Sequence, residues 1–420
     1  MASPRTPSTS ERFPYFALIT LGVAVFLCVT IETLPTGLLP EMSSDLHVSE
    51  SQIGLTVTVF AFTVVLSSTP LTYLTRRVPR HALVVTVLVV LAASAILSAA
   101  APSYFILVIS RVIGGVAHGV FWSVVGAYTA YLVPKEQLGR AVAITLGGGS
   151  LAFVLGVPLG TALGAAVGWR LSFAIIAGMT LVGAGFMYRF IPRVDHLSTD
   201  IIVNTPTGSI STLTAEAAHH EPPRRDHSVI AVVFLCIITA VTMIGHYSFY
   251  TFVAPYFIRE VGLTEATVGP ALFAYGAAGA VSLVIVAIWL GRRPRLSLLL
   301  SLIGVVVSVL VLAVAPQIVP LAFVAFFVWG LMMGNLPPLL QTRLLHAAPA
   351  RIRDASSAFY TTAFNVGIGG GALVGSLVLA GFGLPALPRV TIAILALAIV
   401  LVVLSDLLLR QRPKDGAGAR

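Results

Sequence analysis

Glu32 lies inside the apolar run FALITLGVAVFLCVTIETLPTGLL, and Arg111 lies inside YFILVISRVIGG. A charge near the middle of a membrane helix costs about 2.5–3.5 kcal/mol, so an ionisable group in such a place is a candidate for function. Glu32 falls seven residues before Leu39 and Arg111 eight residues after Ser103. At helical rise both then sit about 10–12 Å below the same surface. Matching depth and opposite sign predict that the two residues couple. An Arg stays charged at any accessible pH, whereas a carboxyl whose surroundings change between conformations can take up and release a proton. The alternative is a static ion pair that orients two helices.

Around this couple the polar residues repeat at helical spacing. Arg111, Gly115, His118 and Trp122 are separated by four, three and four residues, which places them on one helix face. Such a face suits a cavity wall, where an indole stacks on a solute and an imidazole hydrogen-bonds it. Read structurally, His118 bonds a nearby carbonyl and Trp122 is packing. In the second half of the chain, His246 lies eight residues before Ala254, at the depth expected for Glu32, in HYSFYTF. Tyr250 follows one turn later and is the preferred solute contact there; a neutral, satisfied His246 is the competing reading. Asn335, in WGLMMGNLPP, and Asn365, in AFNVGIGGG, carry amides that can serve a ligand or tie helices together.

The elements that must position these residues are membrane helices. The 420 residues are 57% hydrophobic and only 10% charged, too little polar surface for a soluble globule of this length. Twelve apolar stretches long enough to cross a bilayer are expected, at roughly 15–39, 51–74, 82–100, 104–132, 141–167, 172–191, 228–254, 266–290, 296–315, 318–342, 356–381 and 387–409. The chain divides into a tail (1–14), a six-helix bundle (15–191), a polar linker (192–227), a second six-helix bundle (228–410) and a final tail (411–420). The first thirteen residues lack the apolar core of a signal peptide, so the first helix reads as a retained span.

Charge gives the orientation. Of the 25 basic residues, only Arg170, Arg259 and Arg389 fall on the side opposite the termini, and Arg111 is within a span. Positive residues are retained on the cytoplasmic side, so both termini are expected there. This asymmetry explains the net charge of +9 by topology and contact with anionic lipid, not by nucleic acid. Cys28 and Cys236 sit in separate spans, which argues against a disulfide framework or metal centre. No glycine run is followed by Gly-Lys-Ser/Thr, so a phosphate loop and ATP as energy source lack support. Catalytic pairings typical of enzymes are equally lacking.

The halves also echo one another, with RRVPR at Arg76–Arg80 and RRPR at Arg292–Arg295 between their second and third spans. Repeated six-helix halves are a secondary-transporter arrangement. The chain resembles the major facilitator superfamily, and within it the bacterial twelve-span drug:proton antiporters. The likeness lies in LVISRVIGGVAHG, through Leu107, Arg111 and Gly115, and in LGVPLGTALG, which contains Gly156, Pro158 and Gly160. In TYLTRRVPRH, Leu74, Arg77 and Arg80 match the superfamily's basic loop, while Arg76 replaces its Asp. IETLPTGLLP, SRVIGGVAHGVFWS and LGVPLGTALGAAVGWRLSF are similar to the sugar-efflux branch. The resemblance implies an all-α membrane protein of two pseudo-symmetric six-helix bundles. It also implies a monomer in the bacterial inner membrane that exports sugars, sugar analogues or phenicol-type drugs. Exchange for protons would then be the energy source, with no cofactor, and Arg77, Arg80, Gly115, Gly156, Pro158 and Gly160 would serve gating or helix packing. A facilitator or proton symporter of the same fold is the alternative, and a receptor or membrane enzyme a distant one.

Overall fold

The computed structural model describes residues 13–134, 137–192, 227–288, 294–348 and 352–410. Residues 1–12 and 411–420 of the expected tails and nearly all of the polar linker lie outside the described residues, as do Lys135, Arg292, Arg293 and Arg351. Every regular element among the described residues is helical.

Twelve helices are long and apolar enough to cross a membrane. They are α1 (Tyr15–Asp45), α2 (Glu50–Leu74), α3 (Arg80–Ala99), α4 (Tyr104–Tyr131), α5 (Arg140–Val167) and α6 (Trp169–Phe190), then α7 (Val229–Arg259), α8 (Glu265–Val286), α9 (Arg295–Val314), α10 (Val319–Ala347), α11 (Ser356–Phe382) and α12 (Ala386–Leu407). Lipid offers no partner for a bare peptide group, so a helix that satisfies its own backbone is the form an apolar run must take. The face that carries the ends of α1 and α12 and the basic turns is called the near face below, and its opposite the far face.

Two helices depart from the expected limits for the same reason. α1 continues to Asp45 instead of stopping near Leu39, carrying Pro35 and Pro40 within it. Each Pro removes one helical donor, a loss that packed membrane helices tolerate. Glu32 is therefore thirteen residues from the far end of its helix, about 20 Å at helical rise. α7 continues past Ala254 to Arg259 but is interrupted at Thr251 and Phe252, where Pro255 leaves the Thr251 carbonyl without its helical donor. α5 absorbs its own proline by a π turn over Ala152–Gly156, immediately before Pro158.

Packing repeats between the halves. In the first, α1 lies against α5 and α6, α2 against α4, and α3 against α4 and α6; in the second, α7 lies against α11 and α12, α8 against α10, and α9 against α10 and α12. The principal seams between halves, α2 with α11 and α5 with α8, exchange under the same pseudo-two-fold relation. Both are close. Ser51 Oγ donates to the Ser376 carbonyl (2.7 Å) and Thr58 Oγ1 to the Gly369 carbonyl (3.1 Å). Arg259 pairs with the buried Glu50 across the far face.

These contacts close the far face only. Thr362, Gly369 and Ser376 are spaced by sevens and share one side of α11. Gly369 and Ser376 are buried against α2, yet Thr362, two turns nearer the basic turns, is exposed. Neither of these two bonds between α2 and α11 extends to the level of Thr362.

Candidate functional site

Arg111, on α4, is buried, and both terminal nitrogens of its guanidinium reach backbone: one donates to the Ile31 carbonyl (3.0 Å) and the other to the Glu32 carbonyl (2.7 Å), while Nε has no partner among the described residues. The local sequence explains the first bond. Ile31 would normally receive the N–H of residue 35, but residue 35 is proline, so its carbonyl is left open for Arg111. The Phe60 ring of α2 lies 4.2 Å from the guanidinium carbon, a cation–π contact that covers its other side. The expected Glu32–Arg111 couple therefore meets through side chain and main chain, not carboxylate to guanidinium. Hydrogen bonds from a charged group contribute about 1.5–3 kcal/mol each, enough to offset much of Arg111's burial.

The Glu32 carboxyl turns instead to His118, with Oε2 lying 3.3 Å from Nε2. His118 is buried, with Nδ1 3.1 Å from Cys28 Sγ on α1. Its Nε2 also receives the indole N–H of Trp122 at 2.6 Å. Trp122 is half-buried. Glu32, Cys28, His118 and Trp122 thus form one chain of polar contacts running from the Arg111 anchor toward the near face. His118, expected on a cavity wall, is enclosed in this network, and Trp122 is its most exposed member.

Facing it from the second half is an aromatic box. His246 stacks on Tyr250 (centroids 4.9 Å apart, planes at 24°) and meets Tyr247 at 4.8 Å and Trp329 at 5.5 Å. Tyr275 of α8 closes the box 5.0 Å from Tyr250, and Phe326 stacks behind Tyr275 at 4.7 Å. All five polar rings are buried, yet His246 Nδ1, the Tyr275 hydroxyl and Trp329 Nε1 have no hydrogen-bond partner among the described residues. Such orphans cost about 1–3 kcal/mol apiece, so several in one box mark a place where a polar ligand or water belongs.

The other expected residues fall outside this pair of clusters. Asn335 is buried and its amide donates to Ser301 Oγ on α9 (3.2 Å), leaving its Oδ1 without a partner. Asn365 is half-buried and donates to the Thr361 carbonyl of its own helix (2.9 Å). Arg77 is exposed and Arg80 half-buried at the turn between α2 and α3, on the near face. Gly115 rests against the Phe60 carbonyl. On α5, close approach to α1 demands small residues: a methyl group on Gly156 would lie 2.1 Å from Thr30 Oγ1, and one on Gly160 2.4 Å from Leu34 Cδ1. Pro158 follows the π turn and offers its carbonyl surface to Gly269 of α8.

Sequence reading missed three members. Cys28 stands one helical turn before Glu32 and shares its face, a spacing that carried the signal. Tyr275 and Trp329 gave only the weak signal of hydroxyl and indole groups within apolar spans.

This architecture defines a membrane transporter: two repeated six-helix halves joined across the far face, with an ionisable cluster in the first half and an aromatic cluster in the second. A profile of the Major Facilitator Superfamily matches residues 21–234 and 235–419. A probable sugar efflux transporter of Mannheimia succiniciproducens is 30% identical over 395 residues, covering 94% of each chain. One from Helicobacter pylori strain G27 is 28% identical over 379 residues, covering 90% of this chain and 92% of its own. Among solved structures, a bacterial homolog of the human lysosomal transporter Spinster, in an inward-facing and occupied conformation, superimposes with a TM-score of 0.76 at 14% identity. It covers 97% of this chain and 100% of its own. The chain belongs to the major facilitator superfamily. It is a multi-pass transporter, not an enzyme.

Proposed function

We propose that this protein exports sugars or sugar-like solutes across the bacterial inner membrane in exchange for protons. The observation that carries the reading is a buried, ionisable Glu32 in the first half together with, in the second half, an aromatic box whose donors and acceptors lack partners among the described residues. Aromatic faces stack on the apolar side of a sugar ring, while its hydroxyls supply the bonds that His246, Tyr275 and Trp329 lack within the protein. The relatives named as probable sugar efflux transporters support the same cargo class. Amphiphilic drugs of phenicol type would use the rings but not all of the orphan groups, which makes them the second cargo class.

The near face is the cytoplasmic face, because the basic turns lie there, and both termini are cytoplasmic. The present conformation is then inward-open. In the exchange cycle, Glu32 takes a proton from outside after solute departs, and the protonated protein returns to the inward-open form. Solute entering the box then accompanies loss of that proton to the cytoplasm. Gly156, Gly160 and the π turn before Pro158 let α5 shift against α1 and α8 as the far face opens. The protein works as a monomer, with the proton gradient in place of a cofactor.

The test is purified protein in liposomes loaded with radiolabelled monosaccharides, with the interior and exterior pH set independently. An imposed proton gradient drives sugar against its own concentration gradient if exchange is coupled. A facilitator would only speed equilibration, and a symporter would move sugar with the protons instead of against them.

A further inference from the structure

The hydrogen-bond inventory around His118 carries an inference that rests on the proton-exchange reading above. An imidazole nitrogen without a hydrogen offers one lone pair in the ring plane, and one with a hydrogen cannot accept. Trp122 Nε1 is a donor only and lies 2.6 Å from His118 Nε2, so Nε2 carries no proton here. The neutral ring then holds its proton on Nδ1, facing Cys28 Sγ. Glu32 Oε2 lies 3.3 Å from that same bare Nε2. An ionised carboxylate would set lone pair against lone pair, and the terminal nitrogens of Arg111 are committed to backbone carbonyls. A protonated carboxyl removes that repulsion.

We propose that His118 is a proton-controlled switch that Glu32 and Trp122 cannot both occupy once Glu32 is ionised. In the inward-open form described here, Glu32 is protonated and Trp122 is held. On release, Glu32 gives up its proton and the ring changes tautomer, from Nδ1–H to Nε2–H. One proton has departed, and the ring ends as the Nε2–H tautomer bonded to a carboxylate. Nε2 can then no longer accept from Trp122. The indole N–H, on the most exposed residue of the network, turns to the cavity as a new donor for a solute hydroxyl. Proton loss thus creates a solute contact, and proton gain withdraws it.

The ionisable groups around the switch are Glu32 and Cys28 from α1, Arg111 from α4 itself, and Tyr247 from α7; α2 contributes only the Phe60 ring at 5.2 Å. Arg111 carries a constant charge, so Glu32 is the group that changes the state of His118. His118 is accordingly a positioning residue and Trp122 the specificity element it controls.

Fluorine NMR of the full-length protein labelled with fluorotryptophan tests this. The chain has four tryptophans, and loss of one resonance in Trp122→Phe assigns that residue. The infrared carboxyl band that disappears in Glu32→Gln reports Glu32 protonation in the same samples. With pH as the only variable, the Trp122 resonance should shift in step with the Glu32 band. It should stay at its low-pH position in Glu32→Gln, and lose its pH dependence in His118→Gln. A Trp122 resonance that stays still while the Glu32 band titrates overturns the switch and leaves proton exchange standing. A shift that persists in Glu32→Gln also overturns it. If the Glu32 band does not titrate at all, the proton-exchange reading itself fails.

Discussion

Arg111 donates to the main-chain carbonyl of Glu32, not to its carboxylate. The Arg therefore braces the helix that bears the acid while leaving the acid free to change its proton. A direct carboxylate–guanidinium pair would hold the carboxyl ionised in every conformation; the observed arrangement supplies a positive field without clamping the group.

The brace depends on Pro35, and that dependence is measurable. Arg111→Lys replaces a fork with a point donor that cannot reach both carbonyls, and an abandoned buried carbonyl costs about 1–3 kcal/mol. Pro35→Ala restores an N–H for Ile31 and removes part of that need. A double-mutant cycle read by thermal unfolding in detergent should show the loss from Arg111→Lys shrinking by about 1 kcal/mol in the Pro35→Ala background. Strict additivity would show that Pro35 does not create the site for Arg111.

Glu32→Gln keeps the shape of the protonated carboxyl and removes its ability to ionise. Gradient-driven sugar transport should fall to the level of empty liposomes, while exchange of labelled for unlabelled sugar at equal pH continues. Transport that still follows the pH gradient in this variant would remove Glu32 from coupling.

Tyr275→Phe deletes a buried hydroxyl that has no partner among the described residues. Folding stability should hold or rise slightly, because nothing native is broken. Sugar affinity, read as protection against thermal unfolding, should weaken by roughly tenfold, the equivalent of one hydrogen bond of about 1.4 kcal/mol. Unchanged sugar affinity would exclude Tyr275 from the contact.

Glu50 and Arg259 latch the far face across the two halves. Arg259→Ala leaves the buried Glu50 without its counter-charge in the closed form only. The closed population should drop several-fold, seen as longer distances between spin labels at the far ends of α1 and α7. Exchanging the two residues, Glu50→Arg with Arg259→Glu, should restore the original distances. A single variant that leaves them unchanged would mean the pair contributes nothing to closure.

Much of this protein is legible before any coordinates. Twelve apolar runs, each obliged by lipid to satisfy its own backbone, dictate twelve helices, and the asymmetry of basic residues orders their ends. The isolation of Glu32 and Arg111 at similar depth demands that each find compensation. Even the freedom of the Ile31 carbonyl, one of the two that Arg111 grips, follows from a proline four residues beyond it.

The choice of partner was decided only by tertiary packing. Depth along a helix comes from counting residues, but rotation about the axis and the distance between axes come from which side chains fit between helices. Those variables sent the Glu32 carboxyl to His118, committed Asn335 to Ser301 on α9, and gathered Tyr275 and Trp329 around His246. Which face opens was likewise beyond the reach of sequence. One sequence must serve both inward- and outward-open forms, and their balance rests on a few contacts between halves, such as Glu50 with Arg259, whose energies are small and depend on exact approach.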